Sequence, residues 1–231
     1  MMMGAAGDGC AAGSTAPAPD VAGTWAITYD DTIDVEAAIG GATYSAQLGA
    51  NGGAFTIGGY TFDLDCSRPD VVCPSKAWPN QVVIDQDNVT YPHQMIVNLP
   101  QAQCQGSLVK PTSCGSGTNN PNCDLVCDGD VDVAAAQAFG VIGEAGDSFR
   151  LYLGGGIVSN GINCAMLGYS VADADLETAK AIGDWAATAM QSGLVTIGYS
   201  GACLFAGTGG DAAVLAGAEL TFTTGFTGAK Q

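Results

Sequence analysis

Basic residues are scarce in this chain: six Lys and Arg stand against 23 Asp and Glu in 231 residues, a formal net charge of −17. Phosphate backbones are held by clustered Lys and Arg, so this balance argues against nucleic acid as a partner. It argues equally against electrostatic docking on anionic lipid. Histidine is reduced to His93, which rules out a His-rich zinc site. Charged residues of both signs make up only 13%, against roughly 25% in ordinary domains, so Thr, Ser, Asn, Gln and Gly must cover much of the surface. Aromatics are 7% with three Trp, which is thin for the two aromatic girdles of a membrane barrel. No run reaches the ~18 uninterrupted apolar residues of a membrane helix.

Apolar residues are not lacking. They make up 47% of the chain, and the mean hydropathy is positive, which excludes the composition of a disordered chain. The 34 glycines favour many tight turns over long helices. Residues 1–20 are rich in Gly, Ala, Pro and Ser and read as a flexible tether. Residues 21–231 read as one β domain.

Within that domain, apolar residues recur at every second position. Trp25, Ile27 and Tyr29 alternate with Thr24, Ala26 and Thr28, and Ile33 and Val35 with Asp34 and Glu36. Further runs end at Gly40-Gly41 and at Asn51-Gly52-Gly53, a spacing that predicts an antiparallel meander. Arg68 to Asn80 reads as a loop, and EAGD at 144–147 as a turn between two strands. The stretch 177–182 is the one place where a short helix fits. A strand from Trp185, a turn at Ser192-Gly193 and a return along LVTIGYSGACLF complete a hairpin, and a final strand turns Leu220 and Phe222 inward. The expected fold is all-β: an antiparallel barrel or sandwich of about ten to twelve short strands with at most one short helix.

Nine cysteines are present, and Cys10 stands apart in the head. Cys123 and Cys127 are close enough to share a metal, but Cys66 and Cys73 lack ligand spacing, which favours disulfides over zinc. The expected pairing joins Cys66 to Cys73 around SRPDVV and Cys114 to Cys123 around GSGTNNPN. Cys104 with Cys127 clamps the flanking strands, and Cys164 joins Cys203. Four disulfides imply export to an oxidising compartment.

Sites for chemistry are sparse. GYS at 168–170 and GYSGA at 198–202 are partial nucleophile elbows, but that motif needs a later His, and His93 precedes both serines. Asp124, Asp128, Asp130 and Asp132 in CDLVCDGDVDV are the candidate ligands for Ca²⁺, although Phe139 stands where an EF-hand needs its bidentate Glu. No other cofactor is indicated. Alternating acids in DDTIDVE and ADADLE equally mark solvent faces of strands.

Two resemblances follow from quoted residues. Small residues before Cys10, followed by AAGSTAPAP, resemble the head of cysteine-rich envelope lipoproteins of Gram-negative bacteria, although Gly7-Asp8-Gly9 departs from their usual pattern. That resemblance implies lipidation at Cys10 and a flexible tether. Gly23-Thr24-Trp25 resembles the G-x-W that opens lipocalins, which implies an eight-stranded cup for a small apolar ligand. The expected function is an exported, disulfide-stabilised, non-catalytic cell-envelope protein that acts by binding. Its place is the periplasm, outer membrane or cell surface, with the membrane reached only through a lipid anchor. Its partner is an envelope protein, met by a sheet face or by loop 111–122. The alternatives are a lipocalin-like carrier of a small apolar ligand and a carboxylate-dependent hydrolase.

Overall fold

In a computed structural model of the protein, the described residues are 15–57, 59–67, 73–104, 108–109, 126–129, 131–159, 164–181, 184–206 and 212–231. Five strands come first: β1 (Gly23–Tyr29), β2 (Thr32–Ile39), β3 (Ala42–Gly49), β4 (Gly52–Ile57) and β5 (Tyr60–Asp65). A one-turn helix, α1 (Pro74–Ala77), precedes β6 (Gln81–Asp85), β7 (Gln94–Cys104), β8 (Leu108–Val109) and β9 (Val126–Cys127). The chain continues through β10 (Val131–Ile142), β11 (Ser148–Ser159), β12 (Cys164–Ala181), β13 (Asp184–Ala206) and β14 (Ala212–Lys230).

The protein is all-β, as its alternating pattern predicts. Strands β1, β6, β7, β10, β11, β12, β13 and β14 are neighbours in that order, and β14 pairs back on β1 to close an eight-stranded antiparallel barrel. The sheet extends from β14 through β2, β3, β4 and β5. Two predicted turns are present. The β2–β3 hairpin turns at Gly40 (φ 58°) and Gly41 (φ 84°), where left-handed backbone suits glycine. Residues 143–147 join β10 to β11.

The structure corrects four expectations. First, β1 is not part of the meander. Trp25 to Tyr29 lie opposite Lys230 to Phe226, and Asp34 to Ala38 lie opposite Thr223 to Glu219. The two strands therefore run end to end along β14, with a bulge at Asp30-Asp31. There the Asp30 N–H donates to Gly225 O (2.9 Å) and Thr224 Oγ1 donates to Thr32 O (2.5 Å). Second, Ser192-Gly193 is no hairpin turn: the 23-residue strand β13 continues through it, with a bulge there. Third, strand β12 runs through Ala181, so residues 177–181 are extended and not helical. The helix lies instead at Pro74–Ala77, where a loop was expected, with Pro at its first position. Fourth, the ordered body begins before Val21. Pro19 is buried, and Asp20 exchanges backbone hydrogen bonds with Trp185 O (2.7 Å) and the Ala187 N–H (2.9 Å).

The chain forms two compact units, residues 1–97 with 138–231, and residues 98–137. In the first, inward positions of the barrel strands are apolar. Trp25, Ile84, Met95, Ile142, Leu151, Met190 and Phe226 are all fully buried or nearly so. Close approach of backbone to side chain fills the interior further. A Cβ on Gly140 would stand 2.7 Å from Met95 Cγ, and one on Gly228 would stand 2.8 Å from Met190 Sδ. A second cluster joins Ile33, Val35, Leu48, Phe55, Ile57 and Phe222 where β2–β5 extend the sheet. Phe222 points inward as expected.

The Cys66–Cys73 disulfide belongs to this second cluster, with both residues buried and Cα atoms 5.8 Å apart. It is one of the expected pairs, and it is the covalent mark of an oxidising, extracytoplasmic compartment. The second unit contains β8 and β9, which pair Leu108 with Cys127 and Val109 with Val126.

Candidate functional site

Outward positions of β10–β13 carry the surface that stands out. Pairing sets Phe139 opposite Tyr152, and Tyr152 opposite Val171. Tyr169 and Leu167 follow on the same face of β12, since side chains alternate along a strand. Phe139, Tyr152, Leu167 and Tyr169 are 42%, 46%, 60% and 46% exposed. The Tyr169 ring lies flat over Gly198, where a Cβ would stand 2.2 Å from its Cζ. Single exposed apolar residues need no explanation, but these four share one outward face of adjoining strands.

Beside this row runs an open groove of about 410 Å³ lined by Val141, Ser148, Arg150, Asp173, Asp175, Ser192 and Leu194, among others. Strand register aligns Val141, Arg150, Asp173 and Leu194 across four strands. The Arg150 Nε–H donates to Asp173 Oδ1 at 2.6 Å, and both side chains are about one-third exposed. Two irregularities shape the floor. Register shifts between Asp173 and Asp175 on β12, and between Met190 and Gly193 on the β13–β14 pairing. Ser192 sits at their junction with φ 50°. Such bulges bend a strand and re-aim its side chains.

The groove brings Asp173 and Asp175 together, which is the closest approach to the hydrolase expectation. Asp173 is engaged by Arg150, and both carboxylates line the open groove. Serine chemistry fares no better. Ser170 and Ser200 lie inside β12 and β13 and not at a strand-to-helix turn. Ser170 Oγ is buried with no hydrogen-bond partner among the described residues. His93 is fully buried, with Nδ1 3.1 Å from Ile142 O. It is a buried core residue in the turn before β7.

The predicted Ca²⁺ ligands are only partly placed. Asp124 and Asp130 lie outside the described residues, Asp128 is exposed, and Asp132 is on β10. Among the described residues no group of three His, Cys, Asp or Glu could hold a metal. The other acidic runs face solvent: Asp34 and Glu36 on β2, and Asp175 and Glu177 on β12, are exposed. Asp34 accepts a hydrogen bond from Gln47 Nε2 at 2.8 Å.

Of the other cysteines, Cys10, Cys114 and Cys123 lie outside the described residues, as does loop 111–122. Cys104 ends β7, and Cys127 ends β9. Cys164 and Cys203 are direct register partners on β12 and β13. Trp25, the G-x-W residue, is fully buried, and its indole N–H donates to Val21 O at 2.9 Å.

The exposed row and Arg150 escaped the sequence reading. The signal was present: in LGYSVADA, Leu167, Tyr169 and Val171 alternate with the small residues Gly168, Ser170 and Ala172, so the large side chains of this stretch share one face of β12. Comparison with known protein families, curated proteins and solved structures finds no match.

Proposed function

We propose that this protein is an exported, non-catalytic binding module of the cell envelope, which engages another protein through the outer face of β10–β12. The row Phe139, Tyr152, Leu167 and Tyr169, exposed on a barrel whose own interior is packed, carries this reading. Aromatic residues on such a face supply large contact area at low entropic cost. Asp175 and Glu177 continue the same strand face, so the complementary partner presents an apolar centre and a basic rim. The Cys66–Cys73 disulfide supports export. An acyl anchor on Cys10 and a place at the periplasm, outer membrane or cell surface extend the same reading.

The lipocalin-like carrier is the second reading, favoured by barrel closure and by the burial of Trp25. The packing of Met95, Leu151, Met190 and Phe226 into the interior works against it. Site-specific photo-crosslinking in envelope extracts separates the two. A crosslinker at Tyr152 or Leu167 captures one discrete protein, capture falls as salt rises, and the same probe at Thr43 on β3 captures none. Equal capture from all three positions overturns the proposal. A small-molecule mass carried in the native but not the denatured spectrum transfers the assignment to the carrier.

A further inference from the structure

We propose that Cys164 and Cys203 form a second disulfide, which rivets β12 to β13 at the end of the hairpin farthest from their connection. The inference extends the export reading and rests on it.

Register carries the argument. β12 and β13 pair from Ala181 opposite Asp184 to Cys164 opposite Cys203, and past the register shifts at Glu177/Thr178 and Asp173/Asp175 the register is unbroken from Asp173 opposite Leu194 to the two cysteines. Directly opposed residues of an antiparallel pair share one face of the sheet and hold their Cα atoms roughly 4.5–5.5 Å apart. That interval falls within the roughly 4.4–6.8 Å that disulfides span. Partition of the cysteines leads to the same pair. Residues 98–137 hold Cys104, Cys114, Cys123 and Cys127, an even set within one compact unit. Cys66 and Cys73 are joined to each other in the other unit. Apart from Cys10 in the head, Cys164 and Cys203 are the cysteines that remain there, and the strand register makes them direct partners.

The site has a mechanical use. The hairpin connection ties one end of β12–β13, whereas the Cys164 end lies far from that connection, and strand ends open first. A cross-strand bond fixes the register at that end, where a one-residue slip would turn every side chain to the wrong face. Bond formation needs an oxidant, and a disulfide-bearing thiol oxidoreductase of the export compartment serves. A Cys164 or Cys203 thiolate attacks its disulfide, and the mixed disulfide is then displaced by the second thiolate. The oxidoreductase leaves with two thiols, having taken up the two electrons and the two protons that the cysteines give up.

The six Lys and Arg residues make the test direct. Arg68 and Lys110 are each followed by Pro, so trypsin leaves fragments 1–76, 77–150, 151–180 and 181–230. The full-length protein, isolated from the envelope, is alkylated without reduction and digested. The expected result is a covalent pair of fragments 151–180 and 181–230, split by reductant, together with a 1–76 fragment in which Cys66 and Cys73 resist alkylation. The Cys203→Ser variant must release fragment 151–180 with Cys164 alkylated, and leave the Cys66–Cys73 bond intact. Alkylated Cys164 and Cys203 beside an intact Cys66–Cys73 bond overturns this proposal and leaves export standing, as does a bond from either to fragment 77–150. Alkylation of all four overturns both.

Discussion

The ring of Trp78 meets that of Phe226 edge-on, with centroids 5.0 Å apart. Phe226 lies opposite Tyr29 in the strand pair that closes the barrel, and the Tyr29 hydroxyl donates to Trp78 O. Trp78 also meets Phe149 edge-on at 5.7 Å. It follows directly on α1, and Cys73 is the residue at that helix's N-terminal cap. The disulfide therefore fixes the start of the segment that delivers the largest side chain into the barrel wall.

Trp78 should matter more to stability than the disulfide that positions it. Truncation of a fully buried Trp to Ala costs about 3–5 kcal/mol, because the cavity adds to the lost transfer energy. A disulfide closing so short a loop contributes about 2–3 kcal/mol through the unfolded chain. Urea unfolding of Trp78→Ala and of a Cys66→Ser, Cys73→Ser double variant should rank in that order, with similar dependence on denaturant. The reverse ranking would show that the bridge and not the ring holds this wall.

Two glycines on barrel strands β13 and β11 make a matched pair of tests. A Cβ on Gly193 would stand 2.6 Å from the Phe226 ring, whereas one on Gly156 meets nothing within 4 Å. Gly193→Ala should destabilise by about 1–3 kcal/mol through overpacking, and Gly156→Ala should stay within about 0.5 kcal/mol of the parent. Equal midpoints for the two variants in thermal unfolding would mean that Phe226 yields freely.

Much of the fold was legible because the alternation is local. Ile33 and Val35 against Asp34 and Glu36 assign the two faces of β2, and glycine pairs announce its turn. What escaped depends on distant partners. Nothing near Tyr29 announces that β1 and β2 both lie along β14. Ser192-Gly193 carries a true turn signal, but Met190 and Gly193 both seat inward against β14, so burial converts the turn into a bulge. The site was half legible. Tyr152 and Tyr169 could be placed outward by parity, yet their adjacency, and that of Arg150 to Asp173, is a matter of register between strands. The burial of His93 likewise depends on a partner far along the chain, Ile142.

Alkaline pH should weaken the same barrel wall through Tyr29. Burial pushes its phenol above the ordinary value of 10.0, and a phenolate could no longer donate to Trp78 O. A raised folded-state pKa means that the unfolded chain ionises first. The stabilisation from Tyr29 is then complete below about pH 10, the ordinary tyrosine pKa, and is lost as pH climbs from there toward the folded-state value. Unfolding free energy should fall over that range in the parent and more shallowly in Tyr29→Phe, with phenolate absorbance reporting the ionisation. Parallel pH profiles would show that Tyr29 ionises in the folded state as freely as in the unfolded one.

Ser192 holds the bulge under the groove at φ 50°, the left-handed region that a side chain with a Cβ occupies at a cost of about 1–2 kcal/mol. Glycine escapes that cost but gives up more chain entropy on folding, about 0.5–1 kcal/mol. Ser192→Gly should therefore leave the protein as stable as the parent or more stable, by up to about 1 kcal/mol. A β-branched residue at the same position is a genuine outlier in this region, so Ser192→Val should be clearly destabilising. Since Leu194 and Asp173 flank the bulge, the valine variant should also disturb the Arg150–Asp173 pair, visible as a changed chemical shift at the Arg150 Nε–H. Equal stability of the glycine and valine variants would show that the strand straightens here at little cost, and that the groove is a soft feature of the surface.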